Sequence, residues 1–385
     1  MGLLVIELLI NGERVMAPAR KTTEDYLKDA NEIIRKQNVD LADLRRNTNQ
    51  LRKKLDAEDN IREVIFNIAA HDPKPPKWLK DLPPGSKVRG TPVAVWSDFH
   101  YGEVSAVNKQ NGIMAYNAPI AQKRIKLLVD RTIDLSFNHM GDSYKEYPGI
   151  VVCLGGDMIG GDIHEELMVT NDRTPLEAVN DLTDLLASAI GELAETFSYV
   201  YLPAVVGNHG RTQKKPPNKF IARNNYDYAI YCNLIRHFRN DARVQFTAAQ
   251  GPDCHFKVYH HRFCLTHGDR LGTAGGDGII GSLGPILRGA VKIGRQKNII
   301  EQPFDTLIVC HYHEYMPMPR LVVNGALKGP DEFSVNKLRI PPSVPTQALM
   351  LVHPKYGIVD HRGIFLEEPK VYNRVEAPWV SWQNE

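Results

Sequence analysis

The sequence predicts an α/β fold in which mixed β-sheets are flanked by helices, preceded by a helical N-terminal appendage. Five short apolar runs rich in β-branched residues are typical of strands buried on both faces. These runs are residues 93–96, 149–154, 199–206, 263–265 and 306–309. Between the first three, apolar residues recur at helical spacing over 120–133 and 176–193. Strands that alternate with helices imply a largely parallel sheet with right-handed crossovers.

Metal-ligand residues follow each of these five strands. They are Asp98 and His100, Asp157, Asn208 and His209, His267, and His311 and His313. Ligands of open α/β sheets gather at the carboxyl ends of the strands, so these side chains are expected to converge. Histidine and carboxylate are ligands of borderline divalent ions, and asparagine adds a neutral oxygen. The recurrence therefore predicts a binuclear metal site.

Strand geometry predicts how the paired ligands are presented. Successive side chains of a strand alternate between its two faces. Asp98 and His100 are therefore expected to point the same way with Phe99 turned aside. His311 and His313 have the same spacing.

The ordered set of motifs resembles the calcineurin-like metallophosphoesterase superfamily over about residues 91–365. The matching segments are Asp98-Phe99-His100-Tyr101-Gly102, Gly156-Asp157, Gly207-Asn208-His209, His267-Gly268-Asp269 and His311-Tyr312-His313. This resemblance implies a two-sheet sandwich completed by antiparallel strands near 321–323, 348–352 and 363–366. It also implies one metal held by Asp98, His100, Asp157 and His313, and a second held by Asp157, Asn208, His267 and His311. Asp157 would bridge the two metals, for which manganese is the first expectation and iron, zinc and magnesium are alternatives.

The residue types suit phosphodiester hydrolysis. Two cations about 3.5 to 4 Å apart bind the phosphate oxygens and lower the pKa of a bridging water, which supplies a metal-bridged hydroxide as nucleophile. His209 follows a metal ligand and is placed to protonate the leaving oxygen or to hydrogen-bond the phosphate, so His209 and Asp157 are the expected catalytic residues. The superfamily usually has an acid after this histidine that would orient the imidazole. Here that residue is Gly210, and Asp269 is one candidate to replace the acid.

Basic residues near the predicted ligands indicate an anionic substrate. Arg211, Lys214 and Lys215 follow the third motif, Tyr226 comes soon after, and Arg288 follows the glycine-rich segment 272–278. A basic rim with a stacking aromatic suits DNA, although the net charge of +2 does not indicate nucleic-acid binding by itself. The chain is most similar to phage and bacterial relatives of SbcD-type DNA repair exonucleases. A phosphomonoesterase acting on phosphoprotein or nucleotide is one alternative, and a weakly active binding or structural protein is another.

Composition and the N-terminal sequence bound the rest of the prediction. The 385 residues include five cysteines without paired spacing, which indicates buried thiols in a reducing compartment. The apolar start has no basic leader, and Asn11-Gly12 is a hairpin signal, so we expect a cytoplasmic protein without membrane contact. The predicted domains are an appendage at 1–80, a proline- and lysine-rich linker at 81–92 and a catalytic domain at 93–385.

The appendage carries leucines at helical spacing among mixed charges, at Leu41, Leu44, Leu51 and Leu55. This pattern is compatible with a helical hairpin, a short coiled coil or a helix-turn-helix. Acidic residues interleave with the basic ones, which favours an amphipathic pair that packs on the catalytic domain or on a second subunit over a DNA-reading module. The appendage is therefore the expected contact for a homo-oligomer or a protein partner.

Overall fold

A computed structural model describes residues 8–10, 13–15, 24, 27–28, 31–38, 40–41, 76–79, 90–106, 114–140, 147–271, 283–332, 334–335 and 343–368. The chain divides into two compact units, Met1–His71 and Asp72–Glu385. Residues 81–89 of the linker predicted at 81–92, the glycine-rich segment 272–278, and Leu44, Leu51 and Leu55 lie outside the described residues. The predicted domain limits and the role of the appendage in oligomers stay predictions.

The first unit contains a short hairpin and helical residues. Strand β1 (Leu8–Ile10) pairs antiparallel with β2 (Glu13–Val15), with Leu8 opposite Val15. Residues 31–38 are helical and exposed.

The second unit is built on two mixed sheets. The first sheet has six strands in the order β13-β12-β3-β4-β5-β6. Its strands are β3 (Thr91–Trp96), β4 (Ile150–Leu154), β5 (Val200–Ala204), β6 (Val244–Ala248), β12 (Thr346–His353) and β13 (Gly357–Phe365). Strands β3 to β6 are parallel, and β12 pairs antiparallel with both β3 and β13. Strand β6 was not predicted, because its sequence is not a continuous apolar run and most of it is only half-buried.

The second sheet has five strands in the order β10-β11-β9-β8-β7. They are β7 (Asp253–Val258), β8 (His261–Thr266), β9 (Thr306–Val309), β10 (Met316–Met318) and β11 (Leu321–Val323). Strands β8, β9 and β11 are parallel, whereas β7 and β10 are antiparallel edges. One core cluster joins Val151 and Met350 of the first sheet to Phe263 and Ile308 of the second. The two sheets thus form the predicted sandwich.

Helices flank the sheets and connect the parallel strands. They are α1 (Ala118–Asp134), α2 (Glu165–Thr170), α3 (Pro175–Phe197), α4 (Tyr226–His237) and α5 (Leu283–Ile299). Helix α3 begins with a capping box between Thr174 and Glu177 and packs against α1 and α4. Helix α5 contributes Ile286 to a second core cluster, which includes Leu307.

The residues before the first sheet also belong to its core. A 3₁₀ turn, Lys77–Leu79, places Leu79 in the cluster between the sheets, and Trp78 packs against that cluster. The Tyr259 amide donates to the Leu79 carbonyl at 2.9 Å. Within the described residues, no helix combines the length and apolar character needed to cross a membrane.

Candidate metal centre

Five of the seven predicted ligands have left-handed backbone conformations in the turns after their strands, namely Asp98, His100, Asp157, His311 and His313. Strand β3 ends at Trp96, and Asp98 and His100 have φ angles of 53° and 48°. His311 and His313 follow β9 with φ angles of 74° and 59°. The predicted strand alternation does not apply at these residues, because the strands end before the ligands, although Asp98 and His100 do point into one ligand group. Left-handed conformations are costly for residues with a Cβ and are typical of functional sites.

Three overlapping groups of potential ligands result. Asp98, His100 and His313 form the first, His100, Asp157 and His209 the second, and Asp157, His267 and His311 the third. Within each group the ligand atoms lie within 4.8 Å of one another. Asp157 and His100 each belong to two groups, so the three groups form one continuous cluster.

The histidine hydrogen bonds prepare the ring nitrogens for a cation. His100 Nδ1 lies 2.8 Å from Glu103 Oε1, and His267 Nδ1 lies 2.8 Å from the Gly155 carbonyl oxygen. Both partners are acceptors, so each Nδ1 donates and the neutral ring presents a lone pair at Nε2. His100 Nε2 lies 3.1 Å from His313 Nε2. Two ring nitrogens at this distance need a proton or a cation between them.

Asp157 is the centre of the cluster. Its Oδ1 accepts from the His209 amide at 2.7 Å, whereas the buried Oδ2 makes no aligned hydrogen bond and pairs by charge with His267. Oδ2 lies 3.1 Å from His267 Nε2 and 3.9 Å from His100 Nε2. Asn208 Oδ1 lies 3.1 Å from the same His267 nitrogen. A buried carboxylate among imidazole nitrogens and an asparagine oxygen is a donor set that would hold divalent cations.

The histidines divide into two electrostatic classes. Burial lowers the pKa of His100 to about 4, with Lys328 adding to the effect, and burial lowers the pKa of His311 to about 3. Burial also acts to lower the pKa of His267, but the charges of Asp157 and Asp98 outweigh it and raise the pKa to about 10. Without a metal, His267 is thus an imidazolium that faces the carboxylates of Asp157 and Asp98.

His209 lies beside the cluster at its solvent side. Its side chain is 17% exposed, against 1% for His100, so a substrate can reach it. Its Nδ1 donates to the Gly160 carbonyl at 2.9 Å and lies 3.5 Å from Glu103 Oε1. These two groups, rather than Asp269, orient the imidazole that the sequence left without an acidic neighbour at Gly210.

A buried ion-pair chain supports the histidines from behind, and the sequence analysis missed it. Glu103 contacts His100 and also lies 2.6 Å from Lys328 Nζ, which pairs in turn with Asp331 at 2.5 Å. All three are buried. The position of Glu103, three residues after His100, was the available signal, whereas Lys328 is distant in sequence.

Polar side chains also support Asp98. The Ser97 hydroxyl donates to Asp98 Oδ2, and the His311 amide lies 3.1 Å from Asp98 Oδ1. Asn324 donates to the Ser97 hydroxyl at 2.8 Å, and Gln347 accepts from the Ser97 amide at 2.9 Å. Residues from β12 and from the loop after β11 therefore fix a carboxylate at the end of β3.

Asp227 is a further missed residue. It is fully buried at the start of α4 and accepts three backbone hydrogen bonds from the loops after β4 and β5. Burial, together with the nearby charge of Asp157, raises its pKa to about 6. Its sequence gives no signal of this role, because an acid in the first turn is common in any helix.

The predicted substrate-binding residues are placed differently from one another. Arg211 is half-buried after the third motif, and its Nε has no hydrogen-bond partner. Lys214 is exposed and pairs with Glu165 at 2.7 Å, and Lys215 is exposed. Tyr226 is half-buried at the start of α4, and Arg288 is exposed on α5. Of these five, Arg211 lies nearest in sequence to the ligands. Burial lowers the pKa of its guanidinium, and the charges of Asp269 and Asp157 act against this effect.

Comparisons with known proteins give little further guidance. No family model matches the sequence, and no curated protein matches it. Among solved structures, a dimetal phosphatase from Danio rerio is similar with a TM-score of 0.32 and 10% identity, over 72% of this chain and 100% of that chain. Similarity at this level carries no conclusion about function.

Proposed function

We propose that this protein is a two-metal-dependent phosphoesterase of the calcineurin-like metallophosphoesterase type. The observation that carries the proposal is the buried Asp157 carboxylate, whose Oδ2 makes no aligned hydrogen bond and lies among imidazole nitrogens from loops of both sheets. The expected ligands are those that the sequence indicated: Asp98, His100, Asp157, Asn208, His267, His311 and His313. Without a cation, the buried ring nitrogens of His100 and His313 have only a shared proton between them at 3.1 Å.

The chain's own residues divide the work of hydrolysis. When bound, the cations would polarise the phosphate oxygens and activate a water. His209 has its Nδ1 proton fixed by Gly160 O, so its Nε2 is the atom that exchanges a proton with the leaving oxygen or holds the phosphate. Arg211 supplies unpaired guanidinium hydrogen to an anionic substrate beside this histidine.

The proposed substrate is a phosphodiester of DNA, hydrolysed as by a nuclease. Helix α5 favours a polyanion, because its described residues include Arg288, Lys292 and Arg295 and no acid, whereas its Lys297 pairs with Asp253 at 2.7 Å. Arg211 adds a half-buried cation two residues after His209. Manganese is the proposed metal, since imidazole and carboxylate oxygen together suit borderline ions.

A phosphomonoesterase is the second candidate, and one observation favours it. Lys214 of the expected basic rim pairs with Glu165, which partly neutralises that side of the site. A small phosphorylated substrate does not require an extended basic surface. A purely structural role is disfavoured, because the left-handed backbone at the ligand positions is a cost that folding alone does not require.

The first experiment compares DNA and small esters in the presence of manganese. End-labelled linear DNA, closed circular DNA, para-nitrophenyl phosphate and its bis ester are each incubated with the wild type and with Asp157→Ala. Manganese-dependent DNA cleavage that is lost in the variant supports the nuclease, and the circular DNA tells whether ends are needed. Hydrolysis of the monoester alone moves the protein to the phosphatase class. No hydrolysis of any substrate, or full activity of Asp157→Ala, contradicts the proposal.

A further inference from the structure

The Asp227 carboxylate connects two of the loops that carry predicted ligands. Its Oδ2 accepts from the Asp157 amide and from the Gly207 amide, both at 2.9 Å, and its Oδ1 accepts from the Met158 amide at 3.0 Å. Asp157 and Met158 follow β4, and Gly207 follows β5. One side chain from α4 therefore satisfies three backbone donors of two neighbouring strand ends.

This arrangement does not serve the helix that contains Asp227. The N-cap of α4 is Asn225, whose Oδ1 already accepts from the Asp227 amide at 2.8 Å. The Asn225 Nδ2 donates to the Gly207 carbonyl at 2.8 Å. Both side chains thus bind the loop after β5, and the Asp227 carboxylate makes its described backbone bonds outside its own helix.

Position 210 requires glycine because the side chains of Asn225 and Asp227 fill the space beside it. A Cβ at position 210 would lie 2.4 Å from Asn225 Oδ1 and 2.9 Å from Asp227 Oδ1. The Tyr226 amide also donates to the Gly210 carbonyl at 2.6 Å. A side chain at 210 cannot enter without displacing the helix cap or the carboxylate.

We propose that Asp227 is a positioning residue of the centre, which together with Asn225 holds the loops of Asp157 and Asn208 in the geometry needed to bind metal. Glycine at position 210 leaves the space that the Asp227 and Asn225 side chains occupy. This proposal rests on the proposed function, because it assumes that Asp157 and Asn208 bind metal. Residues behind the first ligands typically change metal affinity or activity about 10- to 100-fold when removed. Asp227 touches no expected substrate atom and acts through the backbone of Asp157.

The test uses full-length protein and two readouts. Hydrogen exchange of the metal-free protein reports the amides of residues 157, 158 and 207, and calorimetric titration reports the affinity for Mn²⁺. We expect a graded loss of protection at these amides in the order wild type, Asp227→Asn, Asp227→Ala, because Asn retains one of the two acceptor oxygens. We expect Mn²⁺ affinity to fall about 10- to 100-fold in Asp227→Ala. If Asp227→Ala does not fold, Asp227→Asn carries the comparison.

A matched control is Asp305→Asn. Asp305 also accepts a backbone amide, that of Arg262 at 2.9 Å, but it lies beside the start of β8, whereas His267 follows the end of that strand. The Asp305→Asn variant should leave the exchange protection of amides 157, 158 and 207 and the Mn²⁺ affinity unchanged. Wild-type protection in the Asp227 variants, or loss of protection spread evenly over the chain, overturns the proposal. If the wild type itself binds no Mn²⁺, the proposed function fails, and the exchange pattern still decides the role of Asp227.

The Gly210 part is tested by a double-mutant cycle. Gly210→Ala should weaken Mn²⁺ binding in the wild type, because its Cβ collides with Asn225 Oδ1. The same change should cost less when Asn225→Gly has removed that atom, although Asn225→Gly has its own effect. Equal costs in both backgrounds contradict the packing argument.

Discussion

Glu103 is the residue on which the support of the histidines depends. It is almost fully buried, contacts His100 Nδ1 at 2.8 Å and His209 Nδ1 at 3.5 Å, and pairs with Lys328. Burial raises its pKa, but the charge of Lys328 and the contacts with His100 outweigh this and hold the pKa well below its usual range. Glu103 is therefore ionised at every pH at which the protein would work.

Glu103→Gln should weaken both metal binding and stability. The neutral amide removes one of the two carboxylates that pair with buried Lys328, while Asp331 remains, so the free energy of unfolding should fall by less than about 3 kcal/mol. His100 also loses its ionic partner, so Mn²⁺ affinity should fall about 10- to 100-fold. Denaturant unfolding and calorimetric titration measure the two effects.

Two further variants separate these effects. Glu103→Gln combined with Lys328→Met and Asp331→Asn removes all three buried charges and should regain stability without regaining metal affinity. Glu166→Gln, at an exposed position on α2, should change neither quantity. Recovery of both quantities in the triple variant would show that Glu103 acts on stability alone.

Metal binding should release about one proton from His267. Its pKa of about 10 lies above the ordinary value of 6.5, so the imidazolium stabilises the metal-free fold fully below pH 6.5, and this contribution is lost as the pH rises through 10. A metal ligand must be neutral, so Mn²⁺ binding at pH 7.5 displaces this proton. His100 and His311 have lowered pKa values and are already neutral.

Calorimetric titration in buffers of different ionisation enthalpy measures the released proton. The apparent binding enthalpy should change with the buffer in the wild type. His267→Gln, if it still binds Mn²⁺, should show little such dependence. An apparent enthalpy that is independent of buffer in the wild type contradicts the assignment.

At the scale of elements, the turn after β5 requires glycine at position 207. A Cβ there would lie 2.1 Å from Asp157 Oδ1 and 2.3 Å from the Asp157 backbone nitrogen. Gly207→Ala should therefore abolish activity and Mn²⁺ binding, because the backbone of the Asp157 loop cannot move aside cheaply. Gly191→Ala is the matched control, since its Cβ meets nothing within 4 Å in the middle of α3. It should raise the free energy of unfolding by about 0.5 to 1 kcal/mol. Activity of Gly207→Ala at the wild-type level would contradict the described turn.

The strands could be predicted from the sequence because buried parallel strands are continuous apolar runs. Strand β4 is such a run, and all of its residues are buried. The half-buried edge strand β6 lacks that pattern and was missed. The left-handed turns could not be predicted either, because Asp98 and His100 adopt them against the preference of residues with a Cβ. The convergence of these side chains was predicted from alternation along a strand, but both residues follow the end of their strand.

The residues that support the ligands could not be predicted from the sequence, because their hydrogen-bond partners are distant in the chain. Asp227 binds an amide 70 positions earlier, and Lys328 binds a carboxylate 225 positions earlier. No local periodicity records such pairs. The ligand types, in contrast, are recorded locally, since each follows its own strand.

At the scale of the whole second unit, the candidate centre takes ligands from both sheets. Asp98, Asp157 and Asn208 follow strands of the first sheet, whereas His267 and His311 follow strands of the second. A cation held by both groups binds the folded sandwich and has no equivalent site in the unfolded chain. Metal binding and folding of this unit are therefore thermodynamically linked.

Saturation with Mn²⁺ should stabilise the protein measurably. At a free concentration 100 times the dissociation constant, one site adds about 2.7 kcal/mol to the free energy of unfolding, and a chelator should remove this gain. Thermal unfolding with and without Mn²⁺ measures it. Asp157→Asn should abolish the gain, because the amide cannot bridge two cations, whereas Asp181→Asn, at the partly exposed ion pair with Arg173, should retain it. If Mn²⁺ still stabilises Asp157→Asn, the metal binds elsewhere in the chain. The convergence of Asp98, Asp157, Asn208, His267 and His311 from the two sheets would then not be explained by metal binding.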